Sequence, residues 1–115
     1  AKEYLFMPRY LIQGAYTSAA AAAFVSKPQD RVAAVQAVIE KLGGKMESFD
    51  FCLGEYDVIG VASFPDDTTA AAMALAANAP GHLRSYRTTR LLSPQEFLAA
   101  QQKAHGASLQ APTKA

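Results

Sequence analysis

Residues 42–67 read LGGKMESFDFCLGEYDVIGVASFPDD. Two runs within this stretch, Lys45 to Leu53 and Tyr56 to Phe64, are rich in aromatic, β-branched and other apolar residues. Gly54-Glu55 sits between them as a tight connection, so the stretch predicts a β-hairpin. Its flanks carry stop signals. Gly43 is suited to the left-handed backbone that ends a helix. Pro65 breaks the second strand, and Asp66 or Asp67 is placed to cap a following helix.

Working upstream, Ser26 to Leu42 reads as a helix. Ser26 is the expected N-cap, and Pro28 is tolerated in the first turn. Val32, Val35, Val38, Ile39 and Leu42 recur at helical spacing and form one apolar face. Before it, Thr17 or Ser18 caps a short alanine-rich helix over Ala19 to Val25. Tyr10 to Thr17 reads as a strand. Downstream, Thr68 to Asn78 is a helix of mostly alanine with Met73 and Leu75, halted by Pro80-Gly81. His82 to Leu92 is a strand carrying Tyr86, Thr88 and Thr89. Ser93-Pro94-Gln95-Glu96 is a capping box that opens a last helix reaching about Lys103.

The order is β-α-β-β-α-β plus a terminal helix, the split-βαβ pattern. It predicts an α+β, ferredoxin-like domain with a four-stranded antiparallel sheet in spatial order 4-1-3-2. Right-handed crossovers put both helices on one face of that sheet. The other face is then bare, carrying Phe49, Phe51, Ile59 and Val61 or their alternates, depending on register. An uncovered apolar face favours association, so a homodimer or higher oligomer is expected through it. The predicted division is an N-terminal extension over 1–7, the domain over 8–103 and a polar, disordered tail over 104–115.

Composition narrows the function. The 115 residues carry 11 basic and 10 acidic side chains, a formal net charge of +1. Arg84, Arg87 and Arg90 are the densest basic group, but strand alternation divides them between two faces, which disfavours nucleic acid as a partner. Cys52 is the single cysteine, so no internal disulfide or cysteine-cluster metal site is expected. His82 and His105 belong to no metal-binding spacing. Gly43-Gly44 closes a helix instead of opening one, the wrong end for a phosphate. No metal or cofactor is expected. The N-terminal stretch lacks the apolar centre of a signal peptide, and no run is long and apolar enough for a membrane span. The expectation is a cytoplasmic protein without a membrane partner, with Met7-Pro8 as the natural start.

Leu42 to Phe49, followed by Leu53-Gly54-Glu55-Tyr56-Asp57-Val58, closely resembles the GYD-domain family, which takes its name from the Gly-x-Tyr-Asp motif. The likeness continues through Phe64-Pro65-Asp66-Asp67, the alanine-rich helix, Gly81, Arg84 and Leu91-Leu92-Ser93-Pro94-Gln95-Glu96. It covers roughly Pro8 to Ala100. The resemblance implies a small bacterial protein of the dimeric α/β-barrel group, largely of unassigned function. Its structural relatives include cofactor-free monooxygenases, haem-degrading enzymes and ligand-sensing regulatory domains; fold alone does not choose among them.

Topology singles out one end of the sheet. There the end of the first strand meets the beginnings of the third and fourth. Candidate catalytic residues gathered there are His82, Asp57 and Tyr16, with the imidazole and carboxylate as acid or base and the phenol as a hydrogen-bonding group. Gln13, Glu55, Tyr56 and Arg84 are candidate ligand-binding residues. Each also has a structural reading. Asp57 suits bonding to backbone N–H groups at the hairpin. Tyr56 suits cross-strand packing, His82 a strand edge and Glu55 a solvated turn. Cys52 suits a small buried apolar position, and Arg84 and Arg87 suit ion pairs across a dimer. Two function classes follow: a small-molecule-binding or assembly module, and a cofactor-free monooxygenase- or isomerase-like enzyme. A ligand-sensing regulatory domain is a third, lacking a DNA-binding partner domain in this chain.

Overall fold

A computed structural model describes residues 7–113. Strand β1 spans Arg9–Tyr16, helix α1 Ser18–Ser26, helix α2 Val32–Lys41, and strand β2 Lys45–Phe51. Strand β3 spans Val58–Ser63, helix α3 Asp67–Asn78, strand β4 Leu83–Leu91, and helix α4 Pro94–His105. The strands form one antiparallel sheet in the order β2-β3-β1-β4. This is the expected ferredoxin-like arrangement.

Local chemistry sets most boundaries. The Thr17 hydroxyl accepts the Ala20 amide and opens α1. Asp66 accepts the Thr69 amide at 2.8 Å and opens α3. The Ser93 hydroxyl accepts the Glu96 amide at 3.0 Å while the Glu96 carboxylate accepts the Ser93 amide at 2.9 Å, the reciprocal box that opens α4. Gly43 follows α2 at φ 80°, a conformation that a side chain makes costly.

Three expectations are corrected. The first helix runs to Ser26, so Ser26 ends α1 and does not cap α2. The chain from Lys27 to Arg31 instead links the two helices, and the Asp30 carboxylate accepts the Val32 amide. The β2–β3 connection is six residues, Cys52 to Asp57, and not a two-residue turn. Asp57 donates its amide to the Gly14 carbonyl, so β1 holds this residue in place, while its own carbonyl receives the Cys52 amide. The register also differs from the one that grouped Phe49 and Phe51 with Ile59 and Val61. Met46 pairs with Ala62 but Ser48 pairs with Val61, leaving Glu47 as an extra residue in a β-bulge. Phe49 and Phe51 therefore lie opposite Gly60 and Val58, on the side of the helices.

That side holds the core. Tyr10, Ala62, Phe64, Ile39, Ala70 and Met73 are buried together, with Ile12, Val35, Leu42, Met46 and Ala77 against them. Burying Ile39 or Phe64 contributes about 1.5–3 kcal/mol each by transfer alone. Strand alternation puts Leu11, Gln13, Ile59, Val61, Arg87 and Thr89 on the other side. Helix α4 stands apart: none of its residues is buried. The radius of gyration is 18.2 Å, against about 13 Å for a compact domain of this length.

Candidate functional site

A cavity of about 200 Å³ lies between the sheet and helices α2 and α3. Its sheet side is kept low by Gly14, Gly60 and Ala62, and Phe49 closes one flank. Gly60 is required there, because a Cβ would come within 2.9 Å of the Ser48 carbonyl oxygen. Val35, Val38 and Ile39 of α2 and Met73, Ala76 and Ala77 of α3 form the opposite wall. Small residues on both sides make the space: alanine faces hold the helices close without filling what lies between them.

Polar groups enter at one end. Tyr16, His82, Tyr86 and Arg31 all border the cavity. The Tyr16 and His82 rings stack with centroids 6.2 Å apart, and Phe24 meets Tyr16 edge-on at 4.8 Å. Burial raises the Tyr16 pKa, the Arg31 guanidinium opposing the shift and the Asp57 carboxylate adding to it. Tyr86 sits opposite Gly14 in the sheet. Its hydroxyl is enclosed, and among the described residues only the Thr88 side chain comes near it, without a well-formed hydrogen bond. Burial pushes its pKa up to about 12, with Thr88 tempering the shift. An unpaired enclosed hydroxyl costs about 1–3 kcal/mol.

A second, wider cleft of about 520 Å³ lies on the far side of Tyr16. Asp57, Cys52, Phe51, Arg84 and residues of α1 line it, and Tyr16 and Arg31 belong to both spaces.

The topology does bring the expected residues to one end of the sheet. The Thr17 amide donates to the His82 carbonyl at 3.0 Å, and the Tyr16 amide donates to the Asp57 carboxylate at 2.8 Å. Within that end they divide. His82 borders the inner cavity and Asp57 the outer cleft, and no hydrogen bond joins them among the described residues. The Asp57 carboxylate is engaged by backbone at the irregular end of β1, where the pairing with β4 shifts register. Arg84 donates to the Glu55 carbonyl at 3.2 Å in the outer cleft, and Glu55 itself is exposed. The Tyr56 carbonyl accepts the Cys52 thiol, and the Tyr56 ring borders neither space. Gln13 lies on the opposite face of the sheet, between Ile59 and Arg87.

Sequence reasoning missed Tyr86, Arg31 and Phe49 as cavity residues. For Tyr86 a signal existed. In the 4-1-3-2 order, pairing β4 with β1 sets it against Gly14, where a missing side chain leaves room. Arg31 offers none, because in the sequence the α1–α2 link reads as helix.

A family model for the GYD domain matches residues 10–100. The chain belongs to the GYD family. No curated protein matches it. Among solved structures, MtbAldR is similar at 14% identity and a TM-score of 0.55, with 76% of this GYD chain covered. The match takes in 54% of the MtbAldR chain, so the GYD chain corresponds to about half of that protein. A protein of unknown function from Nitrosomonas europaea, NE2512, is similar at 19% identity over 78% of this chain and 93% of its own, with a TM-score of 0.41. At 14% identity the likeness to MtbAldR concerns the fold alone. No helix among the described residues is long and apolar enough to cross a membrane.

Proposed function

We propose that this GYD protein is a cytoplasmic, homo-oligomeric small-molecule-binding module whose ligand occupies the cavity between sheet and helices. The cavity carries the reading. At about 200 Å³ it exceeds the roughly 150 Å³ at which an apolar protein cavity accepts benzene. Its walls are apolar and its polar groups converge at one end, the arrangement typical of ligand sites. Pairing through the open sheet face is supported by Leu11, Ile59 and Val61 at the centre of that face. The balanced charge supports self-association over a nucleic-acid partner.

Native mass spectrometry of the protein from its own source tests this reading, joined to saturation-transfer NMR with toluene as probe. Expected are a dimer or larger species, and either a reproducible retained mass or toluene binding that Ala77→Leu abolishes by filling the cavity. A species with no retained mass, and no toluene binding at millimolar probe, overturns the ligand reading.

A second reading is a cofactor-free monooxygenase- or isomerase-like enzyme. The stacked Tyr16 and His82 at the cavity's end favour it, since an imidazole beside an apolar space is a suitable base. Asp57 has no part in that version, because its carboxylate is engaged by the Tyr16 amide. Loss of turnover in His82→Ala with toluene binding retained would separate the enzyme from the module.

A further inference from the structure

We infer that α4 is an exchanged arm: in the assembled protein it packs on a second copy of this chain, not on its own domain. The inference rests on the homo-oligomer reading above and adds the element that completes the interface.

The helix is firmly started, yet the described residues of its own domain leave it largely uncovered. Its N-terminus carries a complete capping box, and Arg90 reaches Glu96 at 3.4 Å. Nevertheless Phe97 is 56% exposed and Leu98 54%, with Leu92 just before the helix at 56%. A twelve-residue helix without tertiary packing is marginal in water. Its apolar residues therefore need a surface that the described residues of its own domain do not supply.

Area selects a second copy as the occupant. A four-stranded sheet with strands about 4.8 Å apart and about seven residues long offers a face of roughly 450 Å². A stable dimer buries about 800 Å² per partner, so that face alone falls short. A helix about 18 Å long and about 10 Å wide covers roughly 180 Å². With arms exchanged, each copy buries its own α4 and the surface that receives its partner's, bringing the interface to about 800 Å². Both unpaired surfaces belong to one chain, so a single two-fold operation covers them together. Helix α4 follows β4, an edge strand of the sheet, after a link of two residues, Leu92 and Ser93.

The test is sedimentation velocity of the full chain as wild type, as the Phe97→Asp/Leu98→Asp double variant, and as Val61→Asp. Expected is a wild-type dimer that both variants weaken by at least about 100-fold. A dimer weakened by Val61→Asp but untouched by the double variant overturns the arm and leaves sheet-face pairing standing. A wild-type monomer throughout the micromolar range overturns the pairing itself, and the arm with it. Amide exchange of α4 in wild type supplies a readout free of substitutions. Protection that rises with protein concentration supports the arm, and protection independent of concentration overturns it.

Discussion

Asp57 shows how a residue named for its motif has a structural task. Its carboxylate accepts the Tyr16 amide, and its own amide is given to the Gly14 carbonyl. Asp57→Ala leaves the Tyr16 amide without its acceptor, at a cost of about 1.5–3 kcal/mol for a charge-assisted bond. Chemical denaturation checks this, and Asp57→Asn is expected to recover part of the loss. Tyr10 and Tyr86 bear on alkaline behaviour. Burial raises both, with the hydrogen bond to Asp67 adding to the effect at Tyr10, and each pKa is pushed up to about 12. Between the ordinary tyrosine value of 10.0 and about 12 the unfolded chain loses these protons while the folded one keeps them. Stability is therefore present below pH 10 and falls as the pH rises through this window. Absorbance titration should show a late tyrosinate step that shrinks in Tyr10→Phe and Tyr86→Phe. Glu47 acts at the acid end. The hydrogen bond from Arg9 is the main cause of its lowered pKa, partly opposed by burial and aided by the Ser63 hydroxyl. Its contribution is present above 4.5 and is lost as the pH falls through the lowered folded-state value. Glu47→Gln should flatten the acid limb of a stability–pH curve.

At the scale of elements, α2 divides its residues sharply. Both Ile39 and Val38 border the cavity, but Ile39 is 2% exposed and belongs to the core, whereas Val38, beside it in sequence, is 36% exposed. Ile39→Ala should cost about 2–5 kcal/mol and Val38→Ala well under half of that, as read by urea denaturation. The elements themselves were legible because their signals are local. Alternating strands, Pro65-Asp66, Pro80-Gly81 and the Ser93 capping box all act through residues a few positions apart. The failures are non-local. Asp57 is tied to β1, more than forty positions upstream of it, which lengthens a connection that looked like a tight turn. Ser26 suits both the end of one helix and the start of the next, and the packing of Phe24 on Tyr16 sides with the first. The site was half legible for the same reason. Topology gathers Tyr16, Asp57 and His82 at one end of the sheet, but the space beside them arises from Gly14, Gly60 and the alanines of α3. Small side chains show a cavity only once their partners are in place.

Across the whole molecule, burial is uneven. Strands β1 and β3 are central in the sheet and carry Tyr10, Ala62 and the adjoining Phe64 into the core, while no residue of α4 is buried. Hydrogen exchange in dilute solution should follow that gradient, slowest in β1 and β3 and fastest in α4. Equal protection throughout would contradict it. The elongated outline, 60 × 46 × 22 Å, fits a chain that leaves part of its apolar surface unmatched.

The extra residue at Glu47 has a consequence for how this protein tolerates change in length. Upstream of it, Met46 faces the helices; downstream, so do Phe49 and Phe51, three and five positions on. A strand without the bulge would keep odd and even positions on opposite sides. Excising Glu47 therefore takes out the residue that has no opposite number: Met46 and Ser48 become neighbours facing Ala62 and Val61, and both phenylalanines stay on the helix side. The loss is the pair of contacts that Glu47 makes with Arg9 and Ser63. A one-residue deletion there should be absorbed with the strand's faces intact, whereas one residue added after the bulge should turn over everything that follows it in β2.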